Sequence, residues 1–318
     1  MNTPILLLAF NRPDLVKQNL ERLRGSGATN IWISVDGPRN ENTSDTEANQ
    51  EIQAICKHFS IERSRQRFES VNQGCRDGVI SGISWFFQHV DAGIILEDDV
   101  EIDSGYLRVI EQLLKAHRDD MSVYSISSHG NLSNNQKDYL PHELVMMPMC
   151  RVWGWGTWKD RWQRHVELLE IFSQKNLLEY FLSIPWKYKS LNTARMLMLC
   201  REKIIDTWDY EWNFTHVFYS GNSVTPRGNY CRNHGFRADA THTVDAANQP
   251  WTAYEDYPSD WYDDQKPIPI NESVEKEVIQ TGVEECGFQY EPNAPREFLA
   301  TVKHMLSGRL KRFLVEGY

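Results

Sequence analysis

The sequence predicts an α/β fold in which a mostly parallel sheet is flanked by helices. Two observations carry this expectation. Through the first hundred residues, short apolar runs of strand length alternate with longer helical patterns, the order that builds parallel sheets. The run Gly93-Ile94-Ile95-Leu96 then empties directly into Glu97-Asp98-Asp99. Carboxylates at a strand's C-terminal end stand where open α/β sheets bind ligands.

The elements follow in order. Pro4 to Phe10 reads as a buried strand, and Pro13 to Leu23 as a helix with proline in its first turn. Ile31 to Val35 is a second strand, closed by the turn signal Asp36-Gly37-Pro38. After a polar stretch, a helix is expected from about Thr46 to Phe59, and a third strand from Arg67 to Val71. Asn72-Gln73-Gly74 then opens a helix through Ile80, Ile83 and Phe87, and the acidic strand follows. Three strand ends therefore carry polar residues: Asn11-Arg12, Asp36 and Glu97-Asp98-Asp99. They are expected along one edge of the sheet. The second half is denser in Trp, Tyr and His, with helices expected over Leu168 to Leu182 and Trp186 to Lys203 and a structured loop from Pro226 to His242. The expected organisation is one domain over 1–265, with a first half 1–130 and a second half 131–265. A C-terminal extension, 266–318, begins at Lys266-Pro267-Ile268-Pro269. Within it Arg296 to Leu314 has helical apolar spacing with Lys303, Arg309, Lys311 and Arg312 alongside. Docking onto the main domain, a peripheral membrane contact and a partner helix all fit that pattern.

Composition narrows the function classes. With 34 basic against 44 acidic residues and a net charge of −10, the chain lacks the basic face that a nucleic-acid binder needs. An acidic enzyme acting on an anionic donor must concentrate positive charge locally, through a metal or a few arginines. The 6 cysteines are scattered without a Cys-x-x-Cys pair, which argues against a zinc site or disulfide scaffold and for a reduced, cytoplasmic setting. The apolar run Ile5 to Phe10 has no basic flank and is too short for a signal peptide. No stretch approaches the roughly 20 apolar residues of a membrane span. Neither a Gly-x-Gly-x-x-Gly after a strand nor a P-loop is present.

Hard oxygen donors clustered as in Glu97-Asp98-Asp99 suit Mg²⁺ or Mn²⁺ and, through the ion, a diphosphate. The plain alternative is a solvated acidic turn. The other motifs, in chain order, add to the first reading. They are Pro4 to Pro13, Ser34-Val35-Asp36-Gly37-Pro38, Asn72-Gln73-Gly74, Trp153-Gly154-Trp155-Gly156-Thr157-Trp158, Trp208-Asp209-Tyr210-Glu211-Trp212 and Asp239 to Thr243. Together they resemble bacterial GT-A-fold glycosyltransferases of the nucleotide-diphospho-sugar transferase superfamily, some of which are labelled haemolysin-like. The Glu-Asp-Asp segment and the later Trp-Asp element are similar to the N-acetylglucosaminyltransferase I type.

The resemblance implies roles over residues 4 to 243. Phe10, Asn11 and Arg12 match the loop that holds the nucleotide, with Arg12 pairing to phosphate or stacking on the base. Asp36 matches the acceptor of a hydrogen bond from the pyrimidine, and Asn72 and Gly74 a donor-contacting loop, although an ordinary turn fits equally. Asp99 matches the metal ligand, Asp98 a contact to the donor's hydroxyls and Glu97 an orienting group. Trp155 and Gly156 belong to a tryptophan-glycine loop that shapes sugar sites, an aromatic structural cluster being the alternative. Some GT-A enzymes carry an acidic pair after Gly-Trp-Gly, where this chain has Thr157-Trp158. Asp209 therefore matches the catalytic base, with Glu211 second. The two share a side on a strand and diverge on a helix. His242 matches a C-terminal histidine that completes the metal or diphosphate site, with His234 and Arg232 as competitors.

The expectation is an inverting, metal-dependent glycosyltransferase using a UDP-sugar, with UDP-GlcNAc favoured. Its acceptor would be a glycan or glycolipid hydroxyl, met in the cytoplasm or at the inner face of the membrane. Two rivals stand beside it. A sugar-phosphate nucleotidyltransferase would want a glycine-rich loop after the first strand, which Ala9 to Pro13 does not supply. A non-catalytic glycan-binding or haemolysin-like protein would use the tryptophans but leave Glu97 to Asp99 without a task.

Overall fold

The computed structural model describes residues 1–130, 144–174, 177–183, 191–235 and 268–269. Strands β1 (Ile5–Ala9), β2 (Ile31–Val35), β3 (Gln66–Phe68) and β4 (Ala92–Glu97) alternate with helices α1 (Pro13–Gly25), α2 (Thr43–His58) and α3 (Gly74–His89). They pair in parallel in the order β3-β2-β1-β4. A short strand β5 (Val100–Ile102) leads into α4 (Ser104–Ala116). Beyond it the sheet continues through β6 (Val123–Ser127), β7 (Leu144–Met147), β8 (Trp155–Trp158) and β9 (Asn222–Pro226). Here β8 is antiparallel to β4 and β6, and β9 is parallel to β6 but antiparallel to β7. The result is a mixed, mostly parallel sheet of eight strands. A two-residue ninth, β11 (Ile268–Pro269), pairs with β7 from beyond the expected domain boundary.

Burial on both faces explains why β1 and β2 are apolar at every position except Ser34; a parallel strand between helical layers has no solvated side. The pleat sorts its side chains. Ile5, Leu7 and Ala9 join the core under α1, α2 and α4. Leu6 and Leu8 face the opposite core with Ile83, Phe86 and Phe87 of α3. The expected strands and first helices stand where periodicity puts them, with shifts that have local causes. Helix α2 starts three residues before Thr46, because the Asn42 side chain accepts the Asp45 backbone N–H at 3.0 Å and caps it there. Strand β3 ends at Phe68, short of Val71.

The second half departs further. The helix expected over Leu168 to Leu182 is two helices, α5 (Lys159–Gln174) and α6 (Leu177–Ser183), and α7 spans Leu191–Arg201. The loop expected from Pro226 contains β10 (Cys231–Asn233), which forms a two-stranded antiparallel ribbon with β5. Trp208 to Trp212 is the start of helix α8 (Asp209–Tyr219) rather than an extended segment. The expected tail helix, Arg296 to Leu314, lies outside the described residues. Among the described residues no helix is long and apolar enough to cross a membrane.

Several of the described tryptophans are core. Trp155, Trp162, Trp208 and Trp212 are almost wholly buried and pack ring against ring, with centroids 5.1 Å apart for Trp155–Trp212 and 5.4 Å for Trp162–Trp212. Two histidines sit among them. His165 Nδ1 lies 2.7 Å from Thr215 Oγ1, and His216 Nε2 lies 2.8 Å from Ser125 Oγ. Burial pushes His165 down to about 3 and His216 down to about 4, so both are neutral.

In the unfolded chain each histidine recovers its ordinary value near 6.5. The unfolded state then binds more protons, so the stability these groups leave intact above about pH 6.5 is lost as pH falls toward about 4. The expected loss approaches ~1.4 kcal/mol per pH unit per histidine. Urea midpoints measured at pH 7, 6 and 5 should fall less steeply for His165→Phe or His216→Phe than for wild type. Parallel slopes would place these rings in water.

Candidate active site

The loops after β1, β2 and β4 open on one edge of the sheet because the strand ends are level. Ala9 pairs with Val35, and Leu8 with Glu97. The strand order reverses between β1 and β4, where an open α/β sheet leaves its ligand crevice. A cavity of about 720 Å³ lies here, within the size range of small-molecule sites. Its walls include Phe10, Asn11, Arg12, Asp36, Asn72 and Gly74, and Glu97, Asp98 and Asp99 also line it. Residues drawn from separate stretches of sequence thus share one cleft.

At its centre the two sides of the crevice are joined by charge. Arg12 Nη1 lies 2.8 Å from Asp99 Oδ2 and 3.3 Å from Asp98 Oδ1. Asn19 on α1 donates to the Asp98 carbonyl at 2.7 Å, and the Phe10 N–H to Asp98 Oδ2 at 3.4 Å. These contacts hold the acidic turn against the β1–α1 loop. Negative charge still exceeds positive. Burial and then the Asp99 carboxylate push Asp98 up to about 7. Glu97 is driven well above the usual carboxylate range by desolvation and by Asp99, Asp98 and Asp209. The α1 N-terminus, with Pro13 in its first turn, receives no side-chain cap at Arg12, and its partial positive charge faces the same crevice.

Asp36 has a structural task of its own. Its carboxylate accepts from the Gly37 N–H at 2.8 Å, the Gln73 N–H at 2.9 Å and Asn72 Nδ2 at 2.9 Å. It ties the end of β2 to the start of α3 while lining the cavity. Burial raises its pKa, against the lowering effect of the Gln73 and Gly37 N–H groups. Asn11 is turned toward Asp45, to which its Nδ2 donates at 2.9 Å. Asp45 also grips Arg39 at 2.6 Å and is held down to about 2, chiefly by that bond. The Arg39 guanidinium lies 5.4 Å from the centre of the Phe10 ring.

Several expected residues stand elsewhere. Trp155 and Gly156 do not face the cavity. They lie on β8, where Trp155 is fully buried against Trp208 and Trp212, and a Cβ on Gly156 would press on Ile110 and Leu114. Hydrophobic burial has claimed this part of the motif, and its first residue, Trp153, lines the cavity instead. Glu211 is likewise inside. Asp209 and Glu211 occupy the first turn of α8, so their side chains diverge. Glu211 is 2% exposed, with its Oε1 3.0 Å from Arg76 Nη2 and its Oε2 2.8 Å from Arg76 Nε. Asp209 stays near the cleft, close enough to add to the field on Glu97 and Cys75, and accepts a bond from the Thr207 hydroxyl. His242 lies outside the described residues. Its competitor His234 turns away, with Nε2 2.8 Å from Glu101 Oε2.

The structure adds residues that motif reading passes over. Asp206 lines the cavity and accepts the Cys75 and Arg76 N–H groups at 3.1 Å and 3.0 Å, capping α3 from a distant stretch of chain. Gly74 needs its positive φ of 84° there, and a Cβ would lie 3.0 Å from Asp206 Oδ2. Ribbon β5–β10 sets Gly235 so close to Asp99 that a Cβ would fall 2.2 Å from Oδ2. Arg39, Arg67 and Glu69 complete the rim. No sequence motif marks Asp206, and Arg67 and Glu69 fall inside the strand expected from Arg67 to Val71, but Arg39 follows the end of β2 and was accessible to the strand-end argument.

Among the described residues no three His, Cys, Asp or Glu side chains form a complete metal cage. Asp98 and Asp99 nevertheless fit a hard divalent ion of the kind held by one or two carboxylates plus substrate phosphates. Their surplus negative charge is what such an ion offsets. No protein-family model matches the chain, and no curated protein sequence matches it.

Two substitutions separate scaffold from site. Glu211→Ala, which removes the buried partner of Arg76 and leaves that guanidinium to Asp77, should destabilise the fold by about 1.5–3 kcal/mol. Asp206→Ala, which removes only a helix cap, should cost about 1 kcal/mol. Guanidinium denaturation would order them; a smaller loss for Glu211→Ala would show its pair to be solvated.

Proposed function

We propose that the chain is a glycosyltransferase that moves a sugar from a nucleoside-diphosphate donor, with UDP-sugar favoured, to a hydroxyl of a glycan or glycolipid. One observation carries this reading. Arg12 and the carboxylates of Glu97, Asp98 and Asp99 converge in a cavity of about 720 Å³ at the reversal point of a mostly parallel sheet. That placement offers a hard cation its oxygen donors and sets Arg12 beside them, so that the cation and Arg12 together would supply the positive charge a diphosphate needs.

Asp99, with Asp98 beside it, would hold Mn²⁺ or Mg²⁺. When bound, the ion offsets charge on the departing diphosphate. Every other task falls to the chain. Arg12 and the N-terminus of α1 bind the phosphates. Phe10 and Arg39 form a flat, charged surface beside Asp36, suited to the base and ribose. Asp209 takes the proton from the acceptor hydroxyl as that oxygen attacks the anomeric carbon. With Glu211 spent on Arg76, Asp209 stands alone as the base on α8. The outcome at the anomeric carbon is inversion, which follows from a single direct displacement.

Burial withdraws Trp155, Trp208 and Trp212 from the glycan-binding alternative, which would have to rest on other rings such as Trp153. The absence of a glycine from Phe10-Asn11-Arg12 weighs against a nucleotidyltransferase.

Asp99→Ala should abolish Mn²⁺-dependent UDP binding in isothermal titration; undiminished binding would remove it from the site. Asp209→Asn should keep UDP binding while lowering transfer by about 10²–10⁴-fold. Transfer at the wild-type rate in that variant would send the search for the base elsewhere in the cleft.

A further inference from the structure

The Arg12 contact has a consequence for the order in which ligands enter, and it rests on the nucleotide-sugar reading above. One nitrogen, Nη1, reaches both Asp99 Oδ2 at 2.8 Å and Asp98 Oδ1 at 3.3 Å. With side-chain exposures of 15% for Arg12 against 18% for Asp99 and 10% for Asp98, water screens the contact only in part. The turn cannot move aside, because Asn19 holds the Asp98 carbonyl at 2.7 Å and the His234 N–H holds the Asp99 carbonyl at 2.7 Å. Gly235 closes on Asp99 from the β10 side. A cation approaching Asp99 therefore meets an oxygen already committed to a guanidinium, and a positive charge beside it.

We propose that Arg12 is the resident counter-ion of Asp98 and Asp99 in the donor-free protein, and that a divalent cation takes Asp99 together with a diphosphate, to which Arg12 transfers. The cation alone must break a charge-assisted bond and tolerate a displaced like charge. The diphosphate alone meets a cleft with surplus carboxylate. Together they satisfy each other, since the anion gives Arg12 a new partner and the cation takes its place. The two ligands are thus coupled, and the coupling is reciprocal. A site that stays closed to free metal and to free nucleotide, but opens to their complex, selects the intact donor complex.

The test is Mn²⁺ binding, followed by the electron paramagnetic resonance signal of the free ion, for wild type, Arg12→Gln and Arg12→Lys, each with and without UDP. In wild type, UDP should raise Mn²⁺ affinity about tenfold or more. In Arg12→Gln, Mn²⁺ alone should bind about fivefold tighter than in wild type, and the gain on adding UDP should shrink. Arg12→Lys, which keeps the charge but loses the planar fork, should fall between the two and carries the test if the glutamine variant does not fold. Mn²⁺ binding to both variants no tighter than to wild type, with UDP still bound, would overturn the counter-ion exchange alone. No UDP binding to wild type at any Mn²⁺ concentration would overturn the nucleotide-sugar reading itself, and the exchange with it.

Discussion

The site is organised by carboxylates that cannot all be charged together without help. Glu97, Asp98 and Asp99 follow one another at the end of β4, Asp209 lies close, and among the described residues the Arg12 guanidinium pairs with Asp98 and Asp99. An apolar strand buried on both sides would have no reason to end in such a cluster for stability. The cost is visible in Asp98, raised to about 7 by burial and by its neighbour. Proteins keep this kind of strain where a ligand relieves it. The surrounding fold serves to keep it in place: parallel pairing levels Leu8 with Glu97, Asn19 and the Phe10 N–H fix the turn, and β10 closes behind it.

A second constraint joins the two halves of the chain. Strand β8 inserts between β4 and β6, so the sheet is continuous from the first half of the chain into the second. At the start of α3, Asp206 accepts the Cys75 and Arg76 N–H groups and Glu211 pairs with the Arg76 guanidinium in the same turn. Lys203 reaches Asp77 at 2.8 Å on the same helix. The segment bearing Asp209 is therefore clasped to the helix that starts beside Asp36. Beneath it, the tryptophan cluster with neutral His165 and His216 supplies a rigid floor.

The strand ends were legible because parallel strands obey a simple rule: apolar throughout, then polar where the chain leaves the sheet. Arg12, Asp36 and the Glu-Asp-Asp turn fall together on that rule alone. The second half was less legible because its motifs are aromatic. A tryptophan beside a glycine reads equally well as a sugar platform or as core, and at Trp155-Gly156 burial decides for the core. Asp209 and Glu211 were inseparable until a helix turned one inward and left the other near the cleft, outside its lining. Asp206 lacked any signal, since a loop residue that caps a helix more than a hundred residues away leaves no local pattern. His242 falls outside the described residues.

The central claim is that this cleft holds a divalent cation and a nucleoside diphosphate side by side. A crystal soaked with UDP and Mn²⁺, recorded at the manganese absorption edge, tests it directly. The account predicts an anomalous peak at Asp99, bridged to the diphosphate, with the uridine lying toward Asp36 and Arg12 turned from the carboxylates to the phosphates. UDP density away from this cleft, or manganese bound with no contact to Asp98 or Asp99, would contradict it.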